Sequence, residues 1–515
     1  MNLCFSQDIV TVHHPNIFLS VFLSTKQRIK KEQIMKTKSI YPATNSLQLK
    51  EVLDKYSPKE LLYAPIDVAK YNHKGCVVNF FGDIVTPAFE FANNSHGVNF
   101  FISKITKAAK DSEAKKVFVG LEATGHYHQN LTLRLRSLGY DVAIINPFDS
   151  WKERLNKSSK TDKIDLCSIA KSLISRKFSS STVPQGIYYN LQRATRTRRK
   201  FINRRTSSKN IITGLLDILF PGLWDKDDTV FSNKWGKASL LLLEHYPTPQ
   251  MIFRLGEKRL ARFLRKNNTK LTEKTARKII SAAKVALTRS REEQTMDILA
   301  LKSHLKAYRL YQEIISNLEN EIAHLLVQTP GIYLLSIPGI SVVYAGEFTG
   351  EIGNISRFAY ASQIISIAGT CSRTDQSGEH NPQNLPISKR GNKFLRTILN
   401  QGGLSLNAWC PDFHTYYTRK REEKSDRPGI ARTATGNKYA KLSFALMKHE
   451  VLYRPRSFDS LVQSPKDYYL SVYGEILRKL MAFSSEKILP QNNYLEKIKQ
   501  KLEKEYAVDL SKFGE

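Results

Sequence analysis

The sequence predicts an α/β layered domain, followed by a long helical region and a second compact unit that is mainly helical. Strand-like and helix-like segments alternate between residues 60 and 180, which is typical of a layered α/β domain. From about residue 187 to 330 the apolar pattern is helical, and residues 331–450 form the second unit. A length of 515 residues allows about three domains, each with its own core.

Four apolar runs in the first domain are predicted to be strands, because they are short and bounded by Gly, Asn or Pro. A helix is predicted between the third and fourth runs, ending at Gly139, since glycine is a common C-terminal stop. The strand-like runs are LLYAPIDVAK (61–70), GCVVNFFG (75–82), KKVFVGLEATG (115–125) and DVAIINP (141–147).

Two patterns stand out in the helical region. The first is a stripe of basic residues at helical spacing, Arg193, Arg196, Lys200 and Arg204, which either contacts phosphates or is simply a solvated face. The second is a seam of apolar residues spaced by three and four, which indicates either coiled-coil self-association or packing against the chain's own core. The seam runs through Ile298, Leu301, Leu305, Tyr308, Tyr311, Ile315, Leu318, Ile322 and Leu325.

The composition favours a polyanionic partner. Lys and Arg number 79 against 47 Asp and Glu, a formal charge of +32, so nucleic acid is the first candidate. The five cysteines are scattered without a CxxC or Cys/His cluster, which argues against a zinc site and favours a reducing cytoplasm. No apolar run is long enough for a membrane span. Residues 1–57 are treated as an extension without an assigned role, and 453–515 as a Lys-rich tail.

Four carboxylates raise the possibility of a metal site. Asp67 and Glu122 lie in predicted strands, where a buried acid is costly unless it is paired or binds metal. Asp162 and Asp165 lie three residues apart at a helix start, where an aspartate is also a common N-cap. If the four converge at one end of a sheet, they suit two Mg²⁺ ions about 4 Å apart, an arrangement used in phosphodiester cleavage.

Several of these stretches together resemble the DEDD transposases of bacterial insertion sequences, the family of bridge-RNA-guided recombinases. The similarity covers roughly residues 58 to 450 and rests on several separate motifs in the same order. They are IDVAK (66–70), GLEATGHY (120–127), LGYDVAIINP (138–147), KTDKIDLCSIA (160–170), SIPGIS (336–341), AGTCSRTDQSG (368–378) and ISKRGNKFLRTIL (387–399).

The resemblance implies a RuvC-like domain of the RNase H type at residues 58–186, with Asp67, Glu122, Asp162 and Asp165 as ligands of Mg²⁺. The apolar spacing places a helical linker and coiled coil at 187–330, and the resemblance implies a C-terminal transposase domain at 331–452. In that domain it implies that Ser377 is a nucleophile on DNA. The basic residues that follow are expected to hold a phosphate or offset transition-state charge. These are Lys389, Arg390, Lys393 and Arg396.

The implied activity is that of a transposase that cuts and rejoins DNA through a phosphoserine. Its implied partners are donor and target DNA, a structured guide RNA and further copies of the same chain. Two alternatives remain open from the residues: a metal-dependent endonuclease that needs the four acids but not Ser377, and a non-catalytic nucleic-acid-binding derivative. One departure is Pro65, which stands before Asp67 where a small residue is expected.

Overall fold

A computed structural model of the chain describes residues 51–123, 125–153, 161–175, 183–224, 230–231, 233–267, 273–372, 385–423, 427–456, 464–483 and 494–510. The chain divides into two compact units, with the boundary between Pro184 and Gln185. Among the helices of the described ranges, none is long and apolar enough to cross a membrane.

The first unit is built on a mixed five-stranded sheet. Its strands are β1 (Leu61–Asp67), β2 (Asn72–Asn79), β3 (Ile84–Ala92), β4 (Lys116–Glu122) and β5 (Asp141–Ile145). Their order in the sheet is β3-β2-β1-β4-β5. β1 pairs antiparallel with β2 and β2 with β3, whereas β4 runs parallel to β1 and β5 parallel to β4. An α/β domain in this part of the chain is therefore confirmed.

Helices cover both faces of this sheet. They are α1 (Ser95–Asp111), α2 (His128–Ser137), α3 (Pro147–Lys152) and α4 (Asp162–Ile174). One core joins α1 and α2 to the β1 face that carries Leu62, Ala64 and Ile66. The other joins α4 to the opposite face, which carries Leu61 and Tyr63, because side chains alternate between the two faces of a strand.

The second unit is helical in its described part. Its helices are α5 (Gly186–Leu219), α6 (Lys237–His245), α7 (Pro249–Leu255), α8 (Glu257–Lys266), α9 (Glu273–Val285), α10 (Thr295–Leu326), α11 (Val342–Ile352), α12 (Ala361–Ala368), α13 (Lys393–Trp409), α14 (Pro411–Glu423), α15 (Pro428–His449), α16 (Pro465–Met481) and α17 (Tyr494–Tyr506). Two separate hydrophobic cores lie within it. One joins the end of α5, the helices α6 to α9 and the first half of α10, and the other gathers the remaining helices.

The apolar seam predicted on α10 packs inside the chain. The helices α5 and α10 run antiparallel, as Arg198 bonds Glu319 and, further along, Arg205 bonds Gln312. Every seam position is buried or half-buried in these contacts. The coiled-coil-like pattern thus describes an intramolecular helix pair, and the seam is not free for the self-association that the sequence suggested.

The C-terminal residues predicted as a tail are part of the second unit's core. Tyr473, Ile476, Leu495 and Ile498 of α16 and α17 are buried in the same core as α11 and α15. The Lys479 ammonium donates hydrogen bonds to the carbonyls of Leu335 and Ile337, at 2.8 and 3.3 Å. This segment is rich in lysine, yet its apolar residues recur at helical spacing and bury one face of each helix.

Candidate active site

The first two predicted acids end neighbouring parallel strands. Asp67 is the last residue of β1 and Glu122 the last residue of β4. Ile66 lies opposite Leu121 in the register of these strands, so the next residues, Asp67 and Glu122, follow side by side. Adjacent strands lie about 4.8 Å apart and in-register residues of a parallel pair share a face. Both acids therefore belong to the face of the sheet that α4 covers.

Helix α4 lies against that same face. Leu166, Ile169 and Leu173 pack into the core beneath the sheet, and Leu173 lies so close to Gly120 that a Cβ there would come within 2.0 Å of its Cδ1. The glycine of the GLEATGHY stretch thus permits the close approach of α4 to β4. Asp162 and Asp165 occupy the first turn of this helix, exposed and buried respectively.

The N-cap of α4 is a threonine. The Thr161 hydroxyl oxygen accepts a hydrogen bond from the Ile164 amide at 3.3 Å, so the expectation that an aspartate caps this helix is wrong. Threonine at the cap leaves both aspartates inside the first turn, where the helix dipole favours negative charge. The carboxylates are consequently not needed for capping.

Two of the acids have polar partners that the sequence analysis did not find. The Lys74 ammonium lies 2.5 Å from an Asp162 oxygen and 3.4 Å from Glu90, and these contacts raise the pKa of Lys74, with the hydrogen bond to Asp162 as the largest cause. Lys74 also lies opposite Asp67 in the β1–β2 register. The buried Ser150 hydroxyl of α3 donates to Glu122 at 2.6 Å. Neither partner has a sequence signal, since Lys74 is 88 positions from Asp162 and Ser150 is 28 positions from Glu122.

The carboxylate oxygens at this edge of the sheet are suitable ligands for a hard cation, but the described side chains are not arranged as a complete coordination site. Four carboxylates from β1, β4 and α4 supply the oxygen ligands that Mg²⁺ prefers. Within the described ranges, no group of three or more acidic, histidine or cysteine side chains is arranged to hold a metal ion. The Lys74 ammonium already places a positive charge beside the Asp162 carboxylate.

The predicted nucleophile, Ser377, lies outside the described residues. The chain on either side of it is held together: Ser372 and Ile387 form an isolated antiparallel bridge, and the Ser388 amide donates to the Cys371 carbonyl at 2.9 Å. Lys389 then adopts a positive φ of 53° and its amide bonds the Gly369 carbonyl, so both ends are fixed to the C-terminal end of α12.

The predicted nucleic-acid ligands divide into internal and exposed residues. Arg196 makes two hydrogen bonds to the buried carboxylate of Glu351, at 2.6 and 2.8 Å, and its guanidinium lies 4.4 Å from the Phe394 ring. Arg396 donates to the Ala368 carbonyl at 2.7 Å. These two side chains support the fold of the unit. The other six are exposed: Arg193, Lys200, Arg204, Lys389, Arg390 and Lys393.

Helix α5 carries further arginines that serve the fold. Arg199 donates to the buried Glu347 at 2.7 Å, and Arg198 pairs with Glu319 of α10. Burial raises the pKa of Glu347, and the nearby Arg199 acts against that shift. The basic character of α5 is therefore shared between helix packing and the surface, which spacing alone did not reveal.

Comparisons with known proteins bear on both units. A family model described as a transposase, DEDD type of IS110, matches residues 64–221. A second, described as a transposase of the IS116/IS110/IS902 family, matches residues 332–418. The first match contains Asp67, Glu122, Asp162 and Asp165, and the second contains Ser377.

Similar proteins also come from insertion elements. The chain is 25% identical to the IS900 uncharacterized 42 kDa protein of Mycobacterium paratuberculosis, over 45% of this chain and 58% of that protein. It is 26% identical to the IS116 uncharacterized 44.8 kDa protein of Streptomyces clavuligerus, over 51% and 65%. It is 31% identical to the transposase of IS1111A from Coxiella burnetii, over 23% and 33%.

The chain spans about three fifths of the first two of these relatives. The two family models match in chain order, one around the carboxylates of the first unit and one in the second unit. Together they show that this chain resembles the transposases of IS110-type insertion sequences in two separate stretches, 64–221 and 332–418.

Proposed function

We propose that this protein is the transposase of an insertion sequence, a site-specific recombinase that cuts and rejoins DNA. The observation that carries the proposal is the meeting of Asp67 and Glu122 at the ends of parallel strands, with Asp162 and Asp165 on the helix that covers the same face. The strand order, with three antiparallel strands leading into two parallel ones, supports a RuvC-like domain of the RNase H type.

In this proposal Asp67, Glu122, Asp162 and Asp165 would hold Mg²⁺, which would supply positive charge beside the phosphate and favour deprotonation of an attacking hydroxyl. Ser150 fixes the orientation of the Glu122 carboxylate. Lys74 pairs with Asp162 in this structure and would compete with a cation for that carboxylate.

Ser377 is the proposed nucleophile. Its Oγ attacks a DNA phosphorus, one P–O bond of the backbone breaks as the Ser–O–P bond forms, and the serine proton passes to the leaving deoxyribose oxygen. The phosphoserine preserves the bond energy, so a DNA hydroxyl can attack it in turn and restore a backbone linkage. A guide RNA selects the DNA by base pairing, while exposed basic residues such as Arg193, Lys200 and Arg204 bind backbone phosphates. Exchange between two duplexes requires more than one copy of the chain.

The test is a search for a covalent protein–DNA adduct. Purified protein, Mg²⁺, RNA transcribed from the flanks of the element and labelled target DNA are combined, and the DNA is analysed with and without protease. Ser377→Ala and Asp162→Asn are expected to abolish the adduct. Ser372→Ala and Asp141→Asn are matched controls, since Ser372 is exposed and Asp141 lies at the opposite end of the sheet, paired with Lys116.

Each other outcome selects an alternative. Cleavage without adduct that persists in Ser377→Ala would replace the recombinase with a metal-dependent endonuclease that uses water. Nucleic-acid binding without cleavage, in the presence of the RNA, would identify a non-catalytic derivative.

A further inference from the structure

A cavity lies in a part of the chain that neither family model matches. The helices α6 to α9 and the start of α10 fall between residues 221 and 332, the end of one match and the beginning of the other. They share a core of their own with the end of α5. The cavity, of about 240 Å³, lies between α7 and the beginning of α10. Cavities for drug-sized molecules measure about 300–1,000 Å³, so this one suits a single ring system.

The lining combines an apolar surface with amides. Met251 and Ile298 provide the apolar part, and Gln250 and Gln294 contribute polar side chains. The Gln250 side-chain amide donates to the Thr288 hydroxyl at 2.6 Å, but its Oε1 is buried and has no hydrogen-bond partner among the described residues. A buried acceptor without a partner costs about 1–3 kcal/mol, so the hydrogen bonding of the Gln250 amide is incomplete in this lining.

Two arginines complete the lining. Arg254 and Arg291 are exposed, and within the described ranges no carboxylate lies within ion-pair distance of either guanidinium. This differs from Arg196, Arg198 and Arg199, which are all paired. A planar guanidinium binds phosphate oxygens in a bidentate manner, so free arginines at a cavity favour a phosphorylated ligand.

The charge of this segment favours a polymer over a free metabolite. Residues 233–298 contain 15 Lys and Arg against 6 Asp and Glu, a net charge of +9. Such an excess attracts a nucleic-acid backbone through counterion release. Unpaired bases are typically recognised by insertion between side chains and by hydrogen bonds to their edges, with phosphates held outside.

We infer that this cavity holds one unpaired nucleotide of a nucleic-acid strand. The base lies against Met251 and Ile298, its polar edge meets the amides of Gln250 and Gln294, and the adjoining phosphates lie on Arg254 and Arg291. The inference shares with the proposed function only the premise that the chain binds nucleic acid. It requires neither Ser377 nor the carboxylates.

The experiment measures binding of the full chain to three labelled probes: a single-stranded RNA, a single-stranded DNA of the same sequence, and the corresponding duplex DNA. Arg254→Gln/Arg291→Gln is compared with Arg259→Gln/Arg262→Gln, which removes the same charge from exposed positions of α8. Both pairs change exposed side chains, and circular dichroism checks that each variant folds.

We expect Arg254→Gln/Arg291→Gln to weaken single-strand binding about tenfold or more, and Arg259→Gln/Arg262→Gln to weaken it about threefold or less. The affinity for duplex DNA should fall by the same factor in the two double variants. Comparison of the RNA and DNA strands identifies the source of the nucleotide. Photo-crosslinking of a strand carrying 4-thiouridine or 4-thiothymidine should label the peptides that contain Met251 or Ile298, and Met251→Trp, which fills the cavity, should remove that crosslink.

If both double variants lose the same affinity for all three probes, only the overall positive charge contributes to binding. The inference that the cavity holds a nucleotide would then be refuted. Crosslinks confined to other helices would have the same meaning. If wild-type protein forms its DNA adduct while the cavity variants bind normally, this inference fails alone. If the wild-type chain binds none of the probes, the proposed function fails with it.

Discussion

Removing the Glu351 carboxylate should destabilise the second unit more than any exposed ion pair does. Glu351, near the end of α11, has a side chain only 1% exposed. It accepts two hydrogen bonds from Arg196 of α5, one from Asn392 at 2.6 Å and one from Gln192 at 3.4 Å. Asn392 is itself the N-cap of α13, where its side chain accepts from the amides of Phe394 and Leu395. One carboxylate thus joins α5, α11 and the start of α13.

The magnitude follows from what remains after the substitution. In Glu351→Ala the Arg196 guanidinium loses its counter-charge in a half-buried position, and the Asn392 amide loses its acceptor. Removing one partner of a buried ion pair costs about 3–5 kcal/mol, whereas a pair replaced as a whole by apolar residues is often neutral. We therefore expect a loss of about 3–5 kcal/mol for Glu351→Ala. The double variant with Arg196→Met should lose less than the sum of the two single variants.

The assay is urea unfolding followed by circular dichroism, with hydrogen exchange at the first amides of α13 as a local probe. Glu273→Ala is the matched control, because its pair with Arg265 is about 60% exposed on both sides and should contribute less than about 1 kcal/mol. A Glu351→Ala loss as small as that of the control, or additive losses in the double variant, would refute the claim that this carboxylate is a structural centre.

Three further predictions follow from single contacts. Lys74→Met should tighten Mg²⁺ binding a few-fold in calorimetry, because an ammonium no longer competes for Asp162; weaker binding would show that Lys74 positions the acid instead. Burial raises the pKa of Cys76 to about 11, so at pH 8 a thiol reagent should label Cys167 rapidly and Cys76 only after unfolding; equal rates would contradict the packing of β2 under α4. Lys479→Met should cost about 1–3 kcal/mol, because the Leu335 carbonyl loses this donor and the Ile337 carbonyl keeps only the Ile340 amide. Burial lowers the pKa of Lys479 in the folded state. Between this lowered pKa and the unfolded pKa of about 10.4 the unfolded chain binds more protons, so the free energy of unfolding of the wild type should rise with pH in this range. The same rise in Lys479→Met would refute the assignment of this pH dependence to Lys479.

Strands with a continuous apolar run were predictable, and an edge strand was not. β1, β4 and β5 are buried along most of their length and were found from their runs. β3 was not predicted, because it lies at the sheet edge, is mostly exposed or half-buried without a regular alternation, and contains Pro87. The helix stop at Gly139 is confirmed, with α2 ending at Ser137 and a φ of +85° at the glycine.

Partners across long stretches of sequence were beyond prediction. Arg193 and Arg196 belong to the same predicted stripe, yet only Arg196 has a buried carboxylate opposite it, 155 residues away. The seam on α10 has the same ambiguity, since packing against α5 and packing against a second chain require the same apolar spacing. Periodicity identifies the face of a helix that is buried, and only the fold identifies what buries it.

The excess positive charge attracts any polyanion but does not distinguish one polyanion from another. Each internal ion pair removes one charge of each sign, so the excess of 79 basic over 47 acidic residues remains 32 however many pairs form. The internal pairs of Arg196, Arg198 and Arg199 therefore do not reduce the attraction of the chain for a polyanion, and that attraction must weaken steeply as salt is added. Charge alone does not distinguish single strands from duplexes; under the two proposals above, the protein makes that distinction where geometry and hydrogen bonding add to charge, at the carboxylate edge of the sheet and in the cavity beside α7.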